Sequence, residues 1–463
     1  MNDPTALPTR PGPATRVRLP VAAPAVRRFM ATESGGAVLL LGATVLALVW
    51  ANSPWWETYE HLWGTHAGIG IGEVALDLSL RHWVNDALMA VFFLVVGLEI
   101  SREIWVGDLR NPRAVAVPAL GAVGGMVLPA LIYLAFNPSG PEAAGWGMAM
   151  STDTAFLLGV LALFGPRCPD HLRLFLLTLA IVDDIGAIAV MAVFYNDGVD
   201  LTALAIAAVL AALLVVMRRA GVWQVTPYAI VGVGLWLAVH ESGVHATVAG
   251  VIVGLAVPAA LIDKKQRDRM SFYVNALQER AAPDRAQLTI SAARATISTN
   301  GRMQYALHPV SAFVVVPLFG LANAGVHLDG PTLAAAATSS VTIGIAVALV
   351  LGNAVGISAF SALALRTGLG DLPGRVRYGH LMGGAVLAGI GFTISLFIAE
   401  LAFDDAALRD QAKIGILTGS LLAAVLGSVL LRVLGERLPM CTPDGDGTRW
   451  PELPPRPWRA PTG

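Results

Sequence analysis

Charge is what this chain lacks most. Of its 463 residues only 14% are Asp, Glu, Lys or Arg, against roughly 25% in a soluble domain. The formal net charge is -1, so no basic field argues for nucleic acid as a partner. Cysteine is nearly absent too. Cys168 and Cys441 lie far apart in polar segments, which excludes a disulfide framework and a thiolate metal site. Lysine occurs only at Lys264, Lys265 and Lys413. What fills the chain instead is apolar: 55% of it is hydrophobic and mean hydropathy is +0.65. The composition is that of a polytopic membrane protein with most of its length in lipid.

Apolar runs recur at about 36–52, 83–100, 114–136, 144–164, 174–195, 201–217, 225–240, 243–258, 309–328, 339–364, 380–402 and 411–434. They predict an all-α protein of about twelve transmembrane helices. Loop charges test that number. Arg16, Arg18, Arg27 and Arg28 precede the first run, and alternate loops carry Arg102 and Arg110, Arg167 and Arg173, Arg218 and Arg219, Lys264 and Lys265, and Arg375 and Arg377. The loops between them are acidic or neutral. Every basic loop falls on one side, so the positive-inside rule predicts cytoplasmic termini. Residues 1–33 and 439–463, rich in proline and polar residues, read as disordered tails around a membrane domain at 34–438. Within it, 259–308 is the longest loop, expected on the cytoplasmic side and partly disordered, with helical patterning near Met270–Arg280 and Ala286–Thr296. Between the first two runs, Val74, Leu76, Leu78 and Leu80 alternate with polar or small residues after a glycine-rich stretch. That pattern predicts a small extracytoplasmic β-hairpin.

Against this background, Asp183 and Asp184 stand side by side inside the apolar run Phe175 to Tyr195. A carboxylate at the bilayer centre costs at least ~2.5 kcal/mol, and two neighbours also repel. No packing need explains such a pair. Asp153, flanked by Thr152 and Thr154, is a third acid near mid-membrane. Small polar residues there allow a helix to unwind and expose oxygen ligands, and unwound backbone is tolerated only where it lines a cavity or is buried in protein. Gly389, Gly391 and Thr393 interrupt a second apolar run in the same way. Two discontinuous helices in separate halves of the chain point to a transporter with binding near the midplane. Carboxylates and hydroxyls suit hard cations. Burial and a like-charged neighbour favour the neutral acid, so such a site holds a proton or a metal cation, not both. At 100° per residue the two aspartates cannot point the same way: one is expected to face the cation, the other a neighbouring helix.

The stretches WVNDALMAVFFLVVGLEISREI (83–104), STDTAFLLGVLALFG (151–165), LAIVDDIGAIAV (179–190), SGVHATVAGVIVG (242–254), PLFGLANAGV (317–326) and GIGFTISLFIAELAF (389–403) resemble the NhaA-type bacterial sodium/proton antiporters. The resemblance covers roughly Glu33 to Leu438. That family is a named example of inverted-repeat transporters. It implies helices three to five repeated, inverted, in ten to twelve. It implies no enzyme and no cofactor, but export of Na+ (and Li+) in exchange for H+ across the bacterial inner membrane, for pH and salt homeostasis. Asp184 would be the principal cation ligand, Asp183 its partner in proton coupling, with Asp153 and Thr152 at the crossing of the broken helices. A pH-response group would include Asp86, Glu99, Arg102, Glu103, His245 and His308. Partners would be membrane lipid and a second copy, the homodimer forming through the hairpin.

Two departures matter. Where the family has a lysine paired with the first aspartate, this chain has Asn353. Without a cationic partner Asp183 is expected to hold its proton at neutral pH, which leaves the coupling stoichiometry open. Gln304 and Tyr305 stand where relatives carry an acid and a histidine. A sodium-coupled solute symporter of related fold is the alternative. An intramembrane aspartyl protease is a remote one: Gly368-Leu369-Gly370-Asp371 sits in a polar loop, and no Tyr-Asp pair occurs.

Overall fold

The computed structural model describes residues 33–71, 74–164, 170–196, 198–259, 264–370, 372 and 378–437. Most of tails 1–33 and 439–463, both cysteines and Asp371 lie outside these. Helices dominate: α1 (Glu33–Ala51), α2 (Trp56–Gly64), α3 (Leu80–Trp105), α4 (Pro112–Phe136), α5 (Thr154–Phe164), α6 (Asp170–Phe194), α7 (Leu201–Arg219), α8 (Val225–Glu241), α9 (Thr247–Ala256), α10 (Lys264–Glu279), α11 (Pro283–Ala295), α12 (Thr299–Asn323), α13 (Gly330–Thr338), α14 (Ser340–Arg366), α15 (Tyr378–Leu387), α16 (Phe392–Ala402) and α17 (Ala406–Arg437). Two strands, β1 (His66–Ile71) and β2 (Val74–Ser79), pair antiparallel, His66 opposite Ser79.

Among the described residues seven helices are long and apolar enough to cross a membrane, or nine if each bent pair is one span. The remaining apolar runs fall on shorter elements: α8, α9, and the 3-10 segment Pro141–Ala149 followed by α5. A run that breaks near its middle, as at 150–153, leaves two pieces each below spanning length. Outer helices turn apolar side chains outward: Val209 and Ile230 are each 68% exposed and Leu421 is 66% exposed. In water such a belt would be an aggregation surface, whereas lipid tails solvate it.

The helical patterning expected in the 259–308 segment is present there. The segment contains α10 and α11 packed on each other, and α12 begins at Thr299 rather than near 309. Ser298 accepts from Gly301 N–H and starts that helix early.

Small residues let the inner helices approach closely. A Cβ on Gly124 would collide with the carbonyl of Gly356, and one on Gly356 with that of Gly124, where α4 crosses α14. Gly250 and Gly254 of α9 lie equally tight against α3. At the far end of α16, Glu400 is tied to α17: Lys413 Nζ lies 2.6 Å from Oε1 and Arg409 Nη1 3.2 Å from Oε2. Lys413 and Glu400 side chains are only 6% and 7% exposed. Removing Lys413 leaves the buried Glu400 carboxylate with Arg409 alone, whereas removing both leaves only the more exposed Arg409. Lys413→Met is therefore expected to destabilise the protein by about 3 kcal/mol. The double variant Lys413→Met/Glu400→Leu should regain most of that, read as the thermal midpoint in detergent.

Candidate cation and proton site

The two interrupted helices meet at their breaks. Residues 150–153 separate Pro141–Ala149 from α5, and 388–391 separate α15 from α16, which are bent 44° from each other. Broken backbone leaves donors and acceptors that must be satisfied, and here each break satisfies the other. Asp153 N–H donates to the Ile390 carbonyl at 2.6 Å. Thr152 Oγ1 donates to Ala388 O at 2.8 Å, and Ser395 Oγ to Met148 O at 2.6 Å.

Asp153 holds the crossing. Its Oδ1 accepts from Phe156 N–H at 2.9 Å, in the first turn of α5. Its Oδ2 accepts from Thr393 N–H at 3.0 Å and from the Thr393 hydroxyl, in the first turn of α16. One carboxylate thus caps two helix N-termini and sits at both positive dipole ends. Sequence reasoning placed Asp153 at this crossing but missed Thr393 as its partner. The available signal was a threonine just after the Gly389–Gly391 break, where a helix must restart.

The doublet divides. Asp183 is turned toward the first break, where its Oδ2 accepts from Thr152 N–H at 2.7 Å. Asp184 lines a cavity of about 280 Å³ together with Thr152, Asp153 and Thr393, and with Glu99, His308 and Ser311 farther along. Asp183 is not among the residues lining that cavity. Oδ1 of each aspartate, and Oδ1 of Asn353, are buried without a hydrogen-bond partner. Asn353 lies on α14 and donates Nδ2 to Leu349 O of its own helix at 3.1 Å. No group of three or more His, Cys, Asp or Glu side chains that could hold a metal occurs among the described residues. A cation in this cavity would therefore need hydroxyls or backbone oxygens beside Asp184, a pattern suited to a weakly held alkali ion in transit.

The residues grouped for pH response scatter. Glu99 and His308 line the cavity. Arg102 donates to Gln304 Oε1 at 3.2 Å, joining α3 to α12, and Glu103 is the next residue at the same end of α3. His245 is half-buried with its ring 5.3 Å from that of Phe397 and is absent from the cavity lining. Asp86 lies at the other end of α3, about 20 Å from Glu99 at 1.5 Å per residue, and faces His240.

The profile of the family described as Na+/H+ antiporter 1 matches residues 27–431. The chain belongs to that family. A Frankia alni protein named Na(+)/H(+) antiporter NhaA 3 is 62% identical over 454 residues, 98% of each chain. A Bordetella parapertussis protein named Na(+)/H(+) antiporter NhaA is 45% identical over 417 residues, 90% of this chain and 98% of that one. A Mycobacterium sp. (strain JLS) protein named Na(+)/H(+) antiporter NhaA 1 is 46% identical over 402 residues, 87% of this chain and 66% of that longer one. Membership makes this a membrane-embedded, multi-pass transporter rather than an enzyme, and it does not favour the solute-symporter alternative.

The Thr393 contact is directly testable. A charge-assisted hydrogen bond contributes about 1.5–3 kcal/mol. Thr393→Val, which keeps shape and loses the hydroxyl, is expected to slow Na+-driven proton exchange roughly tenfold or more. Thr393→Ser should retain most of the rate in the same reconstituted assay.

Proposed function

We propose that the chain exports Na+ (and Li+) in exchange for protons at Asp184, with Asp183 as the adjoining proton-coupled group and the crossing at Thr152, Asp153 and Thr393 as the frame. The observation that carries this reading is the division of the doublet. One carboxylate is open to a cavity between helices, and its neighbour is held by a backbone N–H of the broken segment. A site that holds either a cation or a proton, presented alternately to each side, produces obligatory exchange.

The architecture we infer is twelve transmembrane segments. The first break (Pro141–Phe164) and the second (Tyr378–Ala402) take equivalent places in inverted repeats, a reading supported by their mutual hydrogen bonds. The alternation of basic loops supports cytoplasmic termini in a bacterial inner membrane. The β1–β2 pair, beyond the end of α2, is the surface proposed for homodimer contact, with lipid around the rest.

Asn353 sets this chain apart from relatives that carry a lysine there. Its side chain is neutral and hydrogen-bonded within its own helix, so no fixed cation neutralises Asp183 from that position. Asp184→Asn is expected to reduce Na+- or Li+-driven proton release in everted vesicles at least ~100-fold, as loss of the ligand charge requires. Asn353→Lys is expected to change how steeply transport depends on membrane potential. Identical potential dependence in wild type and Asn353→Lys would show that this position does not set the charge moved per cycle. Proton release only when an organic solute accompanies Na+ would favour symport.

A further inference from the structure

The approach to the first break has an unusual form. Pro141–Ala149 is a 3-10 helix of nine residues, whereas such runs seldom exceed three or four residues. It opens at Gly140, whose φ of 87° favours glycine, and Pro141 follows. Poorer hydrogen-bond geometry disfavours so long a run unless its neighbours hold it. Here two tyrosine hydroxyls do so. Tyr133, in the last turn of α4, donates to Glu142 O at 2.7 Å. Tyr195, just past the end of α6, donates to Ala144 O at 2.7 Å and accepts from Gly147 N–H at 3.1 Å. Both tyrosines are buried. A Cβ on Gly145 would collide with the Tyr133 hydroxyl, and one on Gly147 with that of Tyr195, so the glycines leave room for the two clamps.

Length is what the 3-10 form supplies. At about 2.0 Å per residue the segment spans about 18 Å, against about 13.5 Å for the same residues in an α-helix. It is pinned to α6 at two places. Tyr195 holds its first half, and Asp183 takes the Thr152 N–H just after its end, at 2.7 Å. Those two points lie about 18 Å apart along α6 at 1.5 Å per residue. Rewound as an α-helix from a fixed start, the segment would draw residues 150–153 back by about 4 Å. Thr152 and Asp153, which line the cavity, would move with them.

We propose that Tyr133 and Tyr195 are positioning residues of the cation site. Neither is among the residues lining the cavity. They hold Pro141–Ala149 at its 3-10 length, which sets how far Thr152 and Asp153 reach toward Asp184 and so how tightly Na+ is held. Tyr195 has the larger effect of the two. Its hydroxyl bridges two backbone groups of the segment, and it is anchored to the helix that carries Asp184, its own N–H donating to Met191 O at 3.3 Å. A third hydroxyl on the segment, Ser395 Oγ on Met148 O, belongs to the crossing of the two breaks. The tyrosines act at the far end, where nothing of the cavity reaches, so their influence passes through the length of the backbone between.

The inference rests on the exchange reading above for the ion, while the clamp is read separately. In full-length protein in proteoliposomes, Tyr195→Phe removes the hydroxyl and keeps the ring. The Na+ concentration giving half-maximal proton exchange is expected to rise about fivefold to tenfold, the loss that two neutral hydrogen bonds would give. The rate at saturating Na+ should change by less than about twofold, as for an interaction that acts on binding alone. Tyr133→Phe, which loses one bond, should raise half-saturation by about twofold to fivefold. Tyr228 of α8 is buried and bonded to Val222 O at 3.1 Å, away from the breaks, so Tyr228→Phe should leave half-saturation unmoved. Amide hydrogen exchange of the 141–150 peptide, followed by mass spectrometry in nanodiscs, should quicken in Tyr195→Phe, and this readout needs no transport. Unchanged amide protection overturns the clamp. Unmoved half-saturation in both tyrosine variants, or an equal rise in Tyr228→Phe, overturns the positioning role; should one variant fail to fold, the other decides. Proton release that persists in Asp184→Asn would instead sink the exchange reading and leave the difference in amide protection standing, so the two failures are distinguishable.

Discussion

The double cap made by Asp153 is the interaction on which the rest depends. Two helices stop and restart within the hydrophobic interior, each presenting unsatisfied N–H groups and a positive dipole end. In lipid there is no water to take up these groups. A single carboxylate, with one oxygen on Phe156 N–H and the other on Thr393, satisfies both at once. The price is that Asp153 has little left to offer a cation. The crossing is therefore a frame, and in the reading proposed above Asp184, which lines the cavity, is the ligand.

That frame also explains why the two adjacent aspartates differ. Adjacent positions on α6 point about 100° apart. Asp183 reaches the first break and takes the Thr152 N–H, so it helps hold open backbone in place while remaining a proton acceptor. In the exchange proposed above, coupling between proton and cation needs no long relay, because the two carboxyls are consecutive residues. The side chain at Asn353 is a neutral amide, and Gln304 similarly makes the α3–α12 link to Arg102 with a side chain that does not titrate. Neither position carries ionisable chemistry. The Asp86–His240 pair, by contrast, adds it at the opposite end of α3.

Much of the site was legible in the residues. A buried carboxylate is so costly in lipid that its presence alone marks a site, and Asp153, Asp183 and Asp184 were found on that ground. The breaks were legible as glycine and threonine inside otherwise apolar runs. What escaped was pairing across sequence. Thr393 lies 240 residues from Asp153, and nothing local to either distinguishes that contact from ordinary helix packing. The group expected to respond to pH is likewise spread out by the fold. Asp86 and Glu99 share one apolar segment, but a helix places them at opposite ends, and a histidine from α8 claims Asp86 instead. In 259–308 the helical patterning near Met270–Arg280 and Ala286–Thr296 was legible, and α10 and α11 form there, packed on each other.

Residue order alone settles the solvent, the helical class and the identity of the costly acids, because each follows from transfer energies that act residue by residue. It also carried the family, through long ordered stretches of identity. The packing of the helices settles which aspartate meets the cavity, which helix ends share the Asp153 carboxylate, and which histidine faces Asp86. Those outcomes depend on the crossing of helices hundreds of residues apart. Steric contact between glycine faces, rather than any local preference, sets how closely those helices cross.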